Sequence, residues 1–168
     1  MMKWIALPFI LFSTLAFGQE RDCRTLQEYR ALDFWLGDWD VYMGNQKVGT
    51  NKIEPILNSC AVIENWKDAT GAEGKSFFYF DLVDKVWKQV WVTDQGYMKE
   101  KVQQKSPVIG EVTFQGEVLN RQGKKILDRT SLVKESNGVR QIIEQSEDAG
   151  KTWTVTFDAI YVHHGTSK

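Results

Sequence analysis

An excess of charge of either sign is missing from this 168-residue chain, in which 21 Lys and Arg stand against 22 Asp and Glu for a formal charge of −1. A nucleic acid or an anionic membrane surface is held by a basic patch that neutralises phosphates, so neither partner is expected. Proline is scarce at 3 residues and glycine modest at 13, while aromatics reach 12%. So many large apolar side chains exclude a disordered or low-complexity chain. After residue 18 nothing approaches 18 consecutive apolar residues, so no spanning helix is expected. The 2 Cys and 2 His lie far apart without ligand-type spacing, which gives no reason for a metal. Gly-x-Ser-x-Gly, a Gly-rich phosphate loop and His-Glu-x-x-His are also missing, and no cofactor is expected.

What is there begins with a leader. Lys3, the apolar run Trp4 to Phe12 broken only by Pro8, and the small residues of Ala16-Phe17-Gly18 read as a secretory signal peptide over 1–18. The expectation is a periplasmic or extracellular protein, without a lipid anchor because Cys23 does not follow a small residue at the cleavage point. About 150 residues remain, enough to bury roughly 68–70% of the unfolded surface in one core. They divide into an N-terminal segment (19–38), a β domain (39–164) and a short tail (165–168). In an oxidising compartment Cys23 and Cys60 can close a disulfide. The alternative makes Cys60 a small buried hydrophobe and Cys23 a loose thiol.

Thr25 with Glu28 three residues on, then Leu26, Tyr29, Leu32 and Trp35 up to Gly37, predict one short helix. From Trp39 the apolar period becomes two. Strands are predicted over 40–43, 47–57, 60–66, 75–82, 86–93, 97–104, 111–119, 125–134, 139–146 and 153–163, separated by turn sequences such as Asp94-Gln95-Gly96 and Ser136-Asn137-Gly138. Ten short antiparallel strands must hide two edges, and a closed up-and-down barrel does so economically. The segment Ser146-Glu147-Asp148-Ala149-Gly150-Lys151-Thr152-Trp153 fits the Asp-box of sialidase propellers, but a single copy builds no propeller and reads as a hairpin turn with Trp153 packed beneath.

Asp33-Phe34-Trp35-Leu36-Gly37-Asp38-Trp39-Asp40-Val41 resembles the Gly-x-Trp opening of lipocalins and wider calycin barrels, in which the Trp closes one barrel end. Further pieces follow in order: Cys60, Glu64 and Trp66; Gly74-Lys75-Ser76-Phe77; Trp87, Gln89, Trp91 and Val92; Arg140-Gln141 and Glu144; Gly150-Lys151-Thr152-Trp153. Together they resemble a secreted bacterial lipocalin-like barrel family of unknown function, the DUF1579 type. The resemblance implies the fold, with Trp39 and Trp153 structural, and implies no activity. One departure is the ending Tyr161-Val162-His163-His164-Gly165, where a basic residue is expected.

Period two sorts each strand into a lumen face and an outer face. Val62, Glu64 and Trp66, then Trp87, Gln89 and Trp91, then Arg140, Ile142, Glu144 and Ser146 are read as lumen faces, each mixing large apolar groups with fixed polar ones. Lys88 is read as outward, since inside it would be an unpaired ammonium. Trp66, Trp87 and Trp91 suit sugar rings or flat heterocycles, and Arg140 or Arg129 suits a carboxylate. A small polar or anionic ligand is therefore expected, a saccharide or uronic-acid fragment. The alternatives are a cofactor-independent lyase or dehydratase performing β-elimination with Glu64, Glu144, Tyr79 or His163 as acid or base, a haem site of nitrobindin type at His163 or His164, and a purely structural network of Glu64, Gln89, Arg140 and Glu144.

Overall fold

The computed structural model describes residues 22–106, 108–120 and 122–165, so the leader read over 1–18 lies outside the described residues. Ten strands form one closed antiparallel barrel: β1 (Gly37–Met43), β2 (Gln46–Ile56), β3 (Ala61–Asp68), β4 (Glu73–Asp81), β5 (Val86–Thr93), β6 (Met98–Gln104), β7 (Glu111–Leu119), β8 (Lys125–Glu135), β9 (Gly138–Ser146) and β10 (Thr154–His163). Each strand pairs with its neighbour in sequence, and β1 pairs with β10, Trp39 opposite His163, so no edge is left unpaired.

The short helix expected ahead of the barrel is present between Gln27 and Trp35, built as two successive 3-10 turns, Gln27–Arg30 and Asp33–Trp35. The physical reason lies in the spacing. Leu26, Tyr29, Leu32 and Trp35 recur every third residue, which is the period of a 3-10 helix, whereas an α-helix would rotate them off one face. That face is buried: Tyr29 packs on Phe80 and Trp87, and Trp35 packs on Phe78 and Tyr161. The Trp87 indole N–H donates to the Glu28 carbonyl at 2.8 Å, tying the segment to β5. Cys23 and Cys60 form a disulfide with Cα atoms 5.0 Å apart, joining the segment to the β2–β3 turn. The segment thus plugs the barrel end at which β2, β4, β6 and β8 finish.

Trp39 completes this closed end. It is 3% exposed, its indole N–H donates to the Trp35 carbonyl at 2.8 Å, and its ring stacks on His163 with centroids 4.1 Å apart. At the opposite end the β9–β10 hairpin is satisfied within itself. Asp148 accepts from the Ser146 hydroxyl and from the Thr152 N–H and hydroxyl, Trp153 donates to the Gly150 carbonyl, and the Asp148 carboxyl is held down to about 2 by these donors. The Asp-box of this chain is a turn.

Replacing Trp39 with Ala empties a large volume beside Tyr161 and Trp35, and should cost about 3–5 kcal/mol in urea unfolding. A Trp39→Ala protein as stable as the parent would contradict the role of Trp39 in closing this end.

Candidate functional site

The end at which β3, β5, β7 and β9 finish is open. A cleft of about 510 Å³ lies there, lined among others by Trp66, Trp91, Tyr97, Lys99, Gln145 and Glu147. Two glycines prepare its walls. A Cβ on Gly49 of β2 would lie 2.5 Å from the Trp66 ring, and one on Gly74 of β4 would lie 2.8 Å from the Trp91 indole nitrogen. Each indole can press against the barrel wall only because the residue beneath has no side chain. Both rings are half-buried, leaving surface for the cleft.

Beneath the cleft the lumen is polar. Asp128 on β8, fully buried, accepts from the Lys99 ammonium at 2.7 Å and from the Gln145 amide at 2.9 Å, and forms an ion pair with Lys101. Lys101 also donates to the Thr130 hydroxyl at 2.5 Å and is 4% exposed. Lys99 and Lys101 alternate with Glu100 on β6, so the two ammonium groups share one lumen face and one carboxylate. Gly116, opposite Asp128, allows this approach, because a Cβ there would collide with the Glu100 carbonyl. The other side of the lumen holds Glu64, whose carboxylate accepts from the Asn51 amide at 2.7 Å and from the Ser76 hydroxyl; Ser76 in turn accepts from the Gln89 amide at 3.1 Å. Asn51 also donates to the Tyr161 hydroxyl at 3.3 Å, and Tyr161 donates to Gln141. The side-chain carbonyl oxygens of Gln89 and Asn51 are buried with no hydrogen-bond partner in the chain.

Burial sets the proton affinities. Desolvation pushes the Glu64 carboxyl above the usual range, only partly offset by Ser76, Asn51 and the charge of Lys101. Desolvation also lowers Lys101 to about 8, with Asp128 opposing and Lys99 adding to the fall. Burial alone would raise Asp128, but the two lysines outweigh it and hold the carboxyl below its usual value. Burial and the nearby Glu64 raise the Tyr161 phenol.

These placements sort the residues named from the sequence. Glu64 and Gln89 share the buried network, Trp66 and Trp91 line the cleft, and Trp87 belongs to the closed-end core. Lys88 points outward into Asp81 and Asp84. The ninth strand corrects the expected phase. Arg140 is paired with Asp158 at 2.6 Å on the outer wall, both about 40% exposed (41% and 39%), while Gln141 faces the lumen as partner of Tyr161. Glu144 likewise pairs outside the barrel with Arg129, which lies 4.0 Å over the Trp153 ring. Arg140, Arg129 and Glu144 therefore cannot hold a ligand in the lumen, nor can they form one network with Glu64 and Gln89. The reason is electrostatic: each has an oppositely charged partner on the outer wall, so turning inward would strand a charge. Tyr79 packs beside Phe77 on the outer wall, and His163 lies at the closed end against Trp39. Lys99, Lys101, Asp128, Asn51 and Gln141 carry the lumen chemistry and were not foreseen. The signal available for β6 was Lys99-Glu100-Lys101, two cations on one face, and the Asp128 of β8 was the missing partner.

Among the described residues no group of three or more His, Cys, Asp or Glu is placed to hold a metal ion, and no helix is long and apolar enough to cross a membrane. Comparison with protein-family models and with characterised proteins finds no match to this chain.

The raised Glu64 carboxyl predicts a pH signature. A carboxyl whose folded pKa lies above its unfolded value of about 4.5 costs stability progressively as pH rises past that value, because the unfolded chain ionises first. Glu64→Gln removes that cost while keeping the volume. Its melting temperature relative to the parent should therefore climb as pH rises from 4 to 8, and a difference independent of pH would show that Glu64 is not held protonated by burial.

Proposed function

We propose that this barrel is a secreted receptor for a small hydroxylated ligand bearing a carboxylate, a saccharide or uronic-acid fragment, held in the open cleft. The observation that carries the reading is the pair of indoles, Trp66 on Gly49 and Trp91 on Gly74, set around Lys99. Flat apolar faces stack on the apolar face of a sugar ring, and the amides of Gln95, Asn120 and Gln145 together with the Asp94 carboxylate offer donors and acceptors for hydroxyls. The anionic group meets Lys99, whose side chain is 22% exposed and whose ammonium lies 5.4 Å from the Trp91 ring centroid. Lys99 takes the part first assigned to Arg140 and Arg129. Much of the acidic rim is already engaged: Asp68 with Thr70 and Ala72, Glu73 with Lys67, and Glu147 with Lys124. The leader read in the sequence supports an extracytoplasmic setting, and the ordered motif set supports kinship with the secreted lipocalin-like family.

A second reading, β-elimination on a uronic-acid oligosaccharide, has one supporting observation. Glu64 is a buried carboxyl that keeps its proton above the usual range and can serve as an acid. It stands opposite Ser76, which is itself paired with Trp91, one step below the cleft.

Titration of tryptophan fluorescence with neutral and uronic-acid oligosaccharides tests the binding reading. Trp91→Ala should weaken binding of both by tenfold or more, about 1.4 kcal/mol. Lys99→Met should weaken only the acidic ligand, reducing the preference for it over the neutral one. Unchanged affinity in both variants would overturn the proposal. A rise in ultraviolet absorbance from a new conjugated double bond during the titration would favour elimination.

A further inference from the structure

The Gly74-Lys75-Ser76-Phe77 stretch turns Gly74 and Ser76 into the lumen, while Lys75 and Phe77 stand on the outer wall and take no part in the cleft. Their strand neighbours complete a regular face. Strand register places Lys75, Val92 and Met98 in one row across β4, β5 and β6, and Phe77, Val90 and Glu100 in the next. Three of these six are large apolar side chains left open to solvent, Phe77 at 39%, Val92 at 44% and Met98 at 56%. Ile63 of β3, opposite Phe77, continues the apolar part. The row beyond holds Lys88, which Asp81 and Asp84 already neutralise. Two charges are left over. Lys75 donates to the Asn65 side-chain carbonyl at 2.6 Å, and neither Lys75 nor Glu100 has an ion-pair partner among the described residues. By contrast, the outer wall of β8 to β10 is closed by the pairs Arg129–Glu144 and Arg140–Asp158.

From this grid we infer that the outer wall of β4, β5 and β6 is a self-association surface, on which a second copy of this chain docks about a two-fold axis so that Lys75 of each copy meets the partner's Glu100. The register itself supplies the complementarity. Lys75 and Glu100 occupy opposite corners of the two rows, about 12 Å apart at about 4.8 Å per strand and about 6.8 Å per row, and Phe77 and Met98 occupy the other two corners. A two-fold axis lying in the face and across the Lys75–Glu100 line carries each charge onto the other, so one operation makes two ion pairs. The same axis runs close to the Phe77–Met98 diagonal. It sets those side chains against their own copies and covers Val90 and Val92 between them. Lysine has three donors, so Lys75 keeps Asn65 while taking up a carboxylate. A second copy is favoured over an unrelated partner because the face carries both halves of each pair. Its size bounds the strength: roughly 15 by 20 Å, or about 300 Å² per copy, against the roughly 800 Å² of a standard interface, makes the dimer weak and freely exchanging. The inference does not depend on what the cleft holds, although Met98 reaches the cleft rim.

Sedimentation velocity of the unaltered chain over about 5–500 µM, the range in which an interface below standard size becomes populated, should show the mean sedimentation coefficient rising from monomer toward dimer. Lys75→Glu and Glu100→Lys each replace two attractions with two repulsions, and each should weaken the dimer by about tenfold or more. Both positions are exposed, so near-ultraviolet circular dichroism should match the parent. The deciding sample mixes the two variants. In a mixed pair both contacts are again between opposite charges, so the variants should associate with each other while each stays monomeric alone. A chain carrying both substitutions should regain the self-association of the parent. Single variants that associate as well as the parent, or a mixture that behaves as two separate monomers, would overturn the proposal. A parent that stays monomeric throughout would also overturn it, and would leave the face to a different partner protein.

Discussion

A fully buried carboxylate, that of Asp128, is the constraint around which the open half of this barrel is arranged. A lone ionised carboxylate in a lumen is costly, and its partners must come from strands that can reach it. Two of them, Lys99 and Lys101, come from β6, and a third, Gln145, from β9. Their direction fixes the phase of both strands. Once Lys99 and Lys101 point inward, Glu100 and Val102 point outward; once Gln145 and Gln141 point inward, Arg140 and Glu144 must find their partners on the outer wall. Closure then follows from pairing every strand, with Trp39 and the N-terminal 3-10 turns sealing one end only.

The division between the ends follows from chemistry that the sequence distributes unevenly. At the closed end the lumen side chains are Trp35, Trp39, Phe78, Trp87, Phe114 and Leu132, a dry packed cluster backed by the disulfide. Toward the open end they become Glu64, Ser76, Gln89, Lys101 and Asp128, and then the two indoles on their glycines. Stability is concentrated where aromatic rings interlock. Solvent access is concentrated where a ligand can enter, while buried polar atoms without a hydrogen-bond partner occur in both halves, Arg30 Nε and Trp35 Nε1 at the closed end and the side-chain carbonyls of Asn51 and Gln89 in the polar lumen.

Much of the architecture was legible. Turn residues and period-two patterning locate all ten strands within about two residues of most boundaries, except that β1 begins earlier, at Gly37, because Gly37 and Asp38 already pair with β2. Strand phase was legible where one face was plainly apolar or where one phase would strand a charge, as in β5 with Trp87 and Lys88. It was not legible in β9, where Arg140 and Glu144 alternate with Gln141 and Gln145 and neither face is apolar. Nor was it in β6, where Val102 lies outside and lysines lie inside, because the deciding partner is 29 residues away on β8. The short N-terminal helix was legible too, and the strict spacing of three accounts for its 3-10 form, with 3.0 residues per turn.

The most direct measurement is a double-mutant cycle by urea unfolding on Asp128→Leu and Lys101→Met. If Asp128 organises the lumen, Asp128→Leu strands two ammonium groups and costs about 3–5 kcal/mol, Lys101→Met costs far less because Lys99 still holds Asp128, and the double variant regains part of the loss. Two small and additive effects, each below about 1 kcal/mol, would contradict the account.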